Sequence, residues 1–283
     1  MKLLRTIAEL HAYRNGPTCS VGFVPTMGFL HDGHLSLVKK SKSECGHTIV
    51  SIFVNPTQFG PNEDFNSYPR DTDRDLELLE SAGADAVFSP SVDELYPKGA
   101  DTFVVPGKIS ERLEGAVRPT HFKGMATVVL KLFNLVQPQK AFFGQKDAQQ
   151  VAVIKKMVAD LNVPVEIVVM PTIRESDGLA MSSRNIFLNQ IERKSATVLF
   201  RSLTLAESLI DYGERDAEVV KQKMNDLITI EPLARVDYIS VADAVSLEEE
   251  TFIVKPVLIS LAVRIGGTRL IDNFYLVLTS THM

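Results

Sequence analysis

Cysteine is scarce: only Cys19 and Cys45 occur in 283 residues, with no CxxC spacing. Neither a disulfide framework nor a cysteine zinc site is implied, and a reducing cytoplasm fits. Long apolar runs are missing as well, since stretches such as Ile49-Val50-Ser51-Ile52-Phe53-Val54 are strand-length and far short of a membrane span. The opening ten residues are interrupted by Arg5 and Glu9, so they lack the apolar core of a signal peptide and read as an amphipathic helix. There is no basic excess. Thirty Lys and Arg against 35 Asp and Glu give a net charge of -5, which offers no face for nucleic acid and leaves small molecules as the expected partners. No repeat or low-complexity tract is visible.

What is present is an ordinary globular composition, 45% hydrophobic and 23% charged, in a chain long enough for a large core and two domains. Ser20-Val21-Gly22-Phe23-Val24 is apolar and strand-like, and Pro25-Thr26-Met27-Gly28 stops it before a helical pattern begins near Gly33. A strand over 47–54, a long Pro-, Asn- and Gly-rich loop to 69, a helix over 71–81 and a strand over 84–88 follow. Further on, a helix over 122–136, a strand over 140–143, a helix to about 161 and a continuous apolar strand over 164–170 complete the first part. This alternation predicts a doubly wound parallel α/β sheet over residues 1–174. Residues 175–283 change texture, with helical patterns over 190–212 and 216–228 and strand-like runs over 235–241 and 256–265. A smaller α+β domain closing over the site is expected there, joined through the turn Glu175-Ser176-Asp177-Gly178.

Ligands of an open parallel sheet bind beyond the carboxyl ends of its strands, so the loops after Val24, Val54, Phe143 and Met170 are expected to converge. The first, Pro25-Thr26-Met27-Gly28-Phe29-Leu30-His31-Asp32-Gly33-His34, offers backbone N–H groups, two imidazoles and a helix N-terminus, a set suited to a polyphosphate. His31 and His34, three residues apart, can lie on one face and donate to oxygens that gain charge during phosphoryl displacement. Spacing alone equally allows a surface pair or a metal clip. In Gly144-Gln145-Lys146-Asp147, a lysine at a helix start is electrostatically misplaced unless an anion is nearby, and Gln150 lies one turn further on. Taken alone, Lys146 reads as a solvated lysine and Asp147 as a helix cap. Ser182, Ser183 and Arg184 suit phosphate oxygens, or a plain helix cap with a surface arginine. The loop Asn55-Pro56-Thr57-Gln58-Phe59 could supply hydrogen bonds from Asn55 and Gln58 beside an apolar wall from Phe59, or Phe59 and Phe65 could merely pin it. Gly115, Arg118, His121, Phe122, Lys123 and Gly124 form one more basic stretch, as well explained by a solvated loop.

Read together, Pro25-Thr26-Met27-Gly28-x-Leu30-His31-Asp32-Gly33-His34, Phe53-Val54-Asn55-Pro56-x-Gln58-Phe59, Tyr68-Pro69-Arg70, Phe143-Gly144-Gln145-Lys146-Asp147-x-Gln149-Gln150, Ser182-Ser183-Arg184-Asn185 and Arg269-Leu270-Ile271-Asp272-Asn273 closely resemble the pantothenate synthetase, or pantoate–β-alanine ligase, family. The resemblance runs over nearly the whole chain and implies the Rossmann-like fold of the HxGH nucleotidyltransferase superfamily. It implies ATP- and Mg²⁺-dependent condensation of pantoate with β-alanine through a pantoyl-adenylate, releasing pyrophosphate and AMP, in a cytoplasmic homodimer. It places ATP along Met27, Gly28, Phe29, Leu30, His31, Asp32, Gly33 and His34, with His34 as the acid group, and along Gly144, Gln145, Lys146 and Asp147. It adds Ile173 and the Met181-Ser182-Ser183-Arg184 counterpart of the superfamily's KMSKS loop, and assigns pantoate to Gln58 and Gln150, with Gln58 also near β-alanine. His34, His31 and Lys146 are then the residues expected to carry catalysis. A transferase that stops at a nucleotide-linked product, or a nucleotide-sensing module without turnover, is the alternative that the HxGH loop alone would allow.

Overall fold

Apolar strands separated by capped amphipathic helices leave little freedom of topology, because each inner strand must be covered on both faces. The computed structural model describes residues 1–16, 19–61 and 63–277, so Asn62 of the long predicted loop lies outside the described residues. Two compact units emerge, Met1–Gly144 with Gln149–Pro171, and Gln145–Ala148 with Thr172–Met283. The first is built from β1 (Lys2–Leu4), α1 (Ile7–Arg14), β2 (Val21–Thr26), α2 (Asp32–Glu44), β3 (His47–Ile52), α3 (Thr72–Ser81), β4 (Ala86–Phe88), α4 (Val92–Leu95), α5 (Glu114–Val117), α6 (His121–Val136), β5 (Lys140–Gly144), α7 (Ala148–Asp160) and β6 (Glu166–Met170). Its strands form one parallel sheet in the order β1-β4-β3-β2-β5-β6. This is the predicted doubly wound fold.

Successive residues of each strand alternate between the faces. Phe23, Ile49, Phe88 and Ala141 meet Leu10 of α1, Phe122, Leu132 and Phe133 of α6 and Ile154 of α7. Val24, Val50, Val87 and Phe142 point the other way, onto Leu37 and Val38 of α2 and Leu79 of α3. Full burial of a side chain such as Phe23 or Ile49 stabilises by about 1.5–3 kcal/mol, so the two layers together fix the register. The winding reverses between β2 and β5, where their pairing extends only over Gly22↔Lys140 and Phe23↔Ala141. The Val21 carbonyl accepts from Gln139 on this side, and Pro25, of the same parity, has no N–H to offer it. The strands therefore part, opening the switch-point crevice at which α/β sheets bind ligands.

Two local readings change. Lys2–Leu4 pairs with Ala86–Phe88 as a strand, and a capping box between Thr6 and Glu9 starts the helix only at Ile7. The last strand, β6, lies at the sheet edge and is only half-buried, so its apolar run does not reflect two covered faces. Among the described residues no helix is long and apolar enough to cross a membrane.

The second unit holds α8 (Gln190–Ser195), α9 (Val198–Asp211), α10 (Ala217–Thr229) and the antiparallel sheet β7 (Ala234–Asp243), β8 (Val257–Ile265) and β9 (Thr268–Leu276). Its core joins Leu199, Leu203 and Ile210 of α9 and Val220 and Met224 of α10 to Ile259, Leu261 and Leu270 of the sheet. The helix predicted over 190–212 is interrupted at Ala196 and Thr197, the C-cap of α8 and the N-cap of α9. Strand β9 was not expected from periodicity. Its signal is the Gly266-Gly267 pair, which closes a two-residue hairpin between Ile265 and Thr268, with Gly266 at φ +55.

Candidate functional site

Beyond Thr26 the chain turns through Met27–His31 and enters α2, whose N-cap is His31. Gly28 at φ +80 and Phe29 at φ +51 make the turn. The first is natural for glycine; the second is an uncommon conformation for a bulky residue and persists only where its surroundings impose it. His31 and His34 stack with ring centroids 4.1 Å apart, tilted by 40°. His31 Nδ1 accepts from the Gly33 N–H at 3.2 Å, and His34 Nδ1 from the His31 N–H at 3.4 Å. A ring nitrogen that accepts carries no proton, so each neutral imidazole has its proton on Nε2 and acts as a donor there.

The loop backbone differs from the expectation that it offers N–H groups to a polyphosphate. Gly28 N–H donates to Thr26 Oγ1 at 3.2 Å, while Phe29 and Leu30 N–H donate to the two carboxylate oxygens of Asp75, each at 2.7 Å. These amides face inward because the Asp75 carboxylate, only 1% exposed on α3, takes them as partners.

After β3, Pro56–Gln58 forms a 3₁₀ turn capped by Asn55. Asn55 Nδ2 donates to Gly124 O at 3.1 Å and to Gln58 Oε1 at 3.0 Å, while its Oδ1 accepts from Thr57, so Asn55 builds the loop. The buried Gln58 amide directs Nε2 at Met27 Sδ, 3.2 Å away. A thioether is a weak acceptor, and a ligand oxygen can replace it at small cost. Phe59 packs edge-on against Phe65 and Tyr68, which pins the loop.

The basic stretch over 115–124 supports this loop. Arg118 forms a forked pair with Glu63 at 2.7 and 2.6 Å, and His121 Nδ1 lies 3.0 Å from the Gln58 carbonyl oxygen. A Cβ on Gly124 would come within 2.2 Å of the Thr57 carbonyl oxygen, so only glycine lets α6 approach the loop so closely. Burial, helped by the Arg118 cation, holds the His121 pKa down to about 4, and the neutral ring donates from Nδ1 to Gln58 O. Gln150 is half-buried on α7. Its neighbour Gln149 is buried, donating to Ile109 O and Arg112 O and accepting from Glu114 N–H.

In the second unit, Gln145–Asp147 forms a 3₁₀ turn gripped by Asn273 of β9. Asn273 Nδ2 donates to Gln145 O at 3.2 Å and Lys146 O at 2.8 Å, and its Oδ1 accepts from Gln145 Nε2 at 3.1 Å. Lys146 Nζ lies 3.9 Å from Asp147 Oδ1, a loose contact that leaves it able to follow an anion. Met181 N–H donates to Ile173 O at 3.0 Å. Ser182 caps the 3₁₀ turn Ser183–Phe187 by accepting from Arg184 N–H; Ser183 is buried and Arg184 half-buried. The segment is stapled by Arg174, forked onto Asp272 at 2.6 and 3.0 Å, by Asn185 on Glu175, and by Arg193 on Glu175 and Asp177.

The sequence reading missed the roles of Asp75 and Asn273. For Asp75 a signal existed: it shares with Leu79 the buried face of α3, and a carboxylate on an apolar stripe needs donors from elsewhere in the chain.

Residues 2–275 match the family model described as Pantoate-beta-alanine ligase. The pantothenate synthetase of Herpetosiphon aurantiacus is 61% identical over 274 residues, 96% of this chain and 99% of that protein. Pantothenate synthetase from Thermus thermophilus has a similar structure, with a TM-score of 0.93 and 46% identity over 97% of this chain and 99% of that one. Pantoate-beta-alanine ligase from Francisella tularensis, solved in complex with beta-gamma ATP and beta-alanine, gives a TM-score of 0.81 and 39% identity over 97% of each chain. Matching this family through the elements of both units, the chain belongs to the pantoate–β-alanine ligases, the pantothenate synthetases.

Proposed function

We propose that this ligase joins pantoate to β-alanine through a pantoyl-adenylate, with ATP held along residues 27–34, 144–147, 173 and 181–184 and pantoate held by Gln58 and Gln150. The pantoate carboxylate attacks the α-phosphorus and pyrophosphate leaves with the bonding electrons. The β-alanine amine then attacks the acyl carbon, loses a proton and displaces AMP. No side-chain nucleophile is needed, so the protein's task is to orient the reactants and stabilise charge.

The observation that carries this reading is the stacked imidazole pair at the start of α2, in which each Nδ1 accepts from a backbone N–H and the ring proton therefore sits on Nε2. Two such donors suit the oxygens of a departing pyrophosphate better than they suit proton abstraction. Lys146, only loosely engaged by Asp147, adds a cation for the phosphates, and Gln58 Nε2 can exchange its sulfur partner for a pantoate or β-alanine oxygen. The ligands of the Francisella enzyme support ATP and β-alanine as substrates here. Mg²⁺ fits as a companion of the ATP phosphates, since it is commonly held largely by substrate phosphates and water. The same reading includes a homodimer, which the solution mass would test.

Release of AMP is measured with ATP, pantoate and β-alanine, each omitted in turn. Pyrophosphate formed from ATP and pantoate alone, with AMP appearing on addition of β-alanine, is the expected pattern; AMP formation independent of β-alanine would defeat it. His34→Ala should reduce adenylate formation by about 3 kcal/mol of transition-state stabilisation, roughly a hundredfold, in a folded protein. Lys146→Ala should act in the same direction.

A further inference from the structure

We propose that Arg74 and Asp75 of α3 are positioning residues for ATP, clamping the Gly28–Phe29–Leu30 turn so that His31 and His34 are presented in their donor pose. This rests on the reading that the loop 27–34 binds ATP.

Phe29 and Leu30 of the turn are both held from α3. Asp75 takes the N–H groups of Phe29 and Leu30 on its two oxygens, and Arg74 Nη1 donates to the Leu30 carbonyl at 3.0 Å. The Arg74 guanidinium also lies over the Phe29 ring, 5.5 Å from its centroid. Adjacent residues of one helix thus engage both N–H groups, one carbonyl and one ring of a dipeptide 44 to 46 positions earlier in the sequence. Space at Gly28 is closed off too, since a Cβ there would stand 2.9 Å from Asp75 Oδ2 and 3.0 Å from Ile52 Cγ2.

Apolar packing does not explain the turn's conformation. Leu30 is anchored in the core, but Met27, Gly28 and Phe29 border a cavity of about 290 Å³ that Phe53, Phe65, Arg70 and Asp75 also line. With open space there, polar contacts fix the height of the turn and hold Phe29 at φ +51. Burial pushes the Asp75 carboxyl up from the ordinary range in spite of the two N–H donors. A buried carboxylate bonded at both oxygens to the backbone just ahead of His31 acts on geometry.

The effect should fall on ATP. In steady-state assays of the full chain, Asp75→Asn, which keeps the shape but replaces one acceptor by a donor facing an N–H, should lower kcat/KM for ATP by about tenfold or more, while KM for pantoate stays within about twofold. Arg74→Met, at a side chain 46% exposed, should lower it by about threefold, and Arg74→Lys, still able to donate to Leu30 O, should recover most of that loss. Circular dichroism and thermal midpoints establish that each variant is folded. Unchanged ATP kinetics in folded Asp75→Asn and Arg74→Met, or KM values for ATP and pantoate rising together, would overturn the clamp. Should Asp75→Asn not fold, Arg74→Met and Arg74→Lys decide alone. His34→Ala separates the two levels: if it leaves adenylation intact, the assignment of the loop to ATP fails, whereas impaired His34→Ala beside wild-type kinetics in the α3 variants removes only the clamp.

Discussion

Asp75 in the first unit and Asp272 in the second are both about 1% exposed, and both hold segments proposed to bind the nucleotide, yet they do so by different chemistry. Asp75 is satisfied by backbone N–H groups, and its nearest cation, Arg74, stands 3.9 Å away and half-exposed. Asp272 is forked onto the Arg174 guanidinium and also accepts from Asn273 N–H. A carboxylate held by amides fixes the path of a loop while gaining little from Coulomb attraction; one held by a guanidinium becomes part of the unit's stability. The two anchors should therefore respond differently to mutation, acid and salt.

The sharpest contrast is expected at Asp272. Asp272→Ala strands a partly buried Arg174 and removes the acceptor of Asn273 N–H, and should cost about 3 kcal/mol in urea denaturation. Asp75→Asn should cost much less stability and proportionally more ATP turnover; equal destabilisation by both would erase the distinction. Next comes acid, which probes the first unit through His121. Folded, this ring stays neutral down to about pH 4, whereas the unfolded chain takes up the proton near 6.5. Its contribution is therefore complete above pH 6.5 and declines as pH falls to about 4, by on the order of 3 kcal/mol. Melting temperatures between pH 7 and 4 should show that decline, and His121→Gln, which keeps a donor for Gln58 O, should flatten it. The smallest effect belongs to Arg193, whose ion pairs with Glu175 and Asp177 are half-exposed at the surface. Arg193→Ala should cost about 1 kcal/mol or less, and added salt should shrink the difference.

These anchors also mark the boundary of what the residue order alone reveals. The parallel sheet was legible because its strands are apolar and its helices capped within a few residues, and the histidine pair because its three-residue spacing is local. Strand β9 escaped notice because Arg269, Asp272 and Asn273 break its apolar pattern, leaving only the Gly-Gly hairpin as a cue. The inward-facing amides of Phe29 and Leu30 were not legible, since their acceptor is 45 residues away and nothing in the loop announces it. Likewise the 115–124 stretch looked like a basic loop, and only tertiary pairing shows that Arg118 and His121 are engaged with Glu63 and Gln58.

The grip of Asn273 on the Gln145–Lys146 turn spans 127 to 128 positions of the chain. During synthesis the turn leaves the ribosome long before its partner strand exists. A nascent chain can assemble the parallel sheet and the histidine loop from residues already made, but the Lys146 turn takes its final shape only after β9 has zipped onto β8. On the proposed role of Lys146, competence for ATP then arrives late, near the completion of translation, and a ribosome-stalled chain ending before residue 268 should fold its first layers while leaving the lysine unplaced.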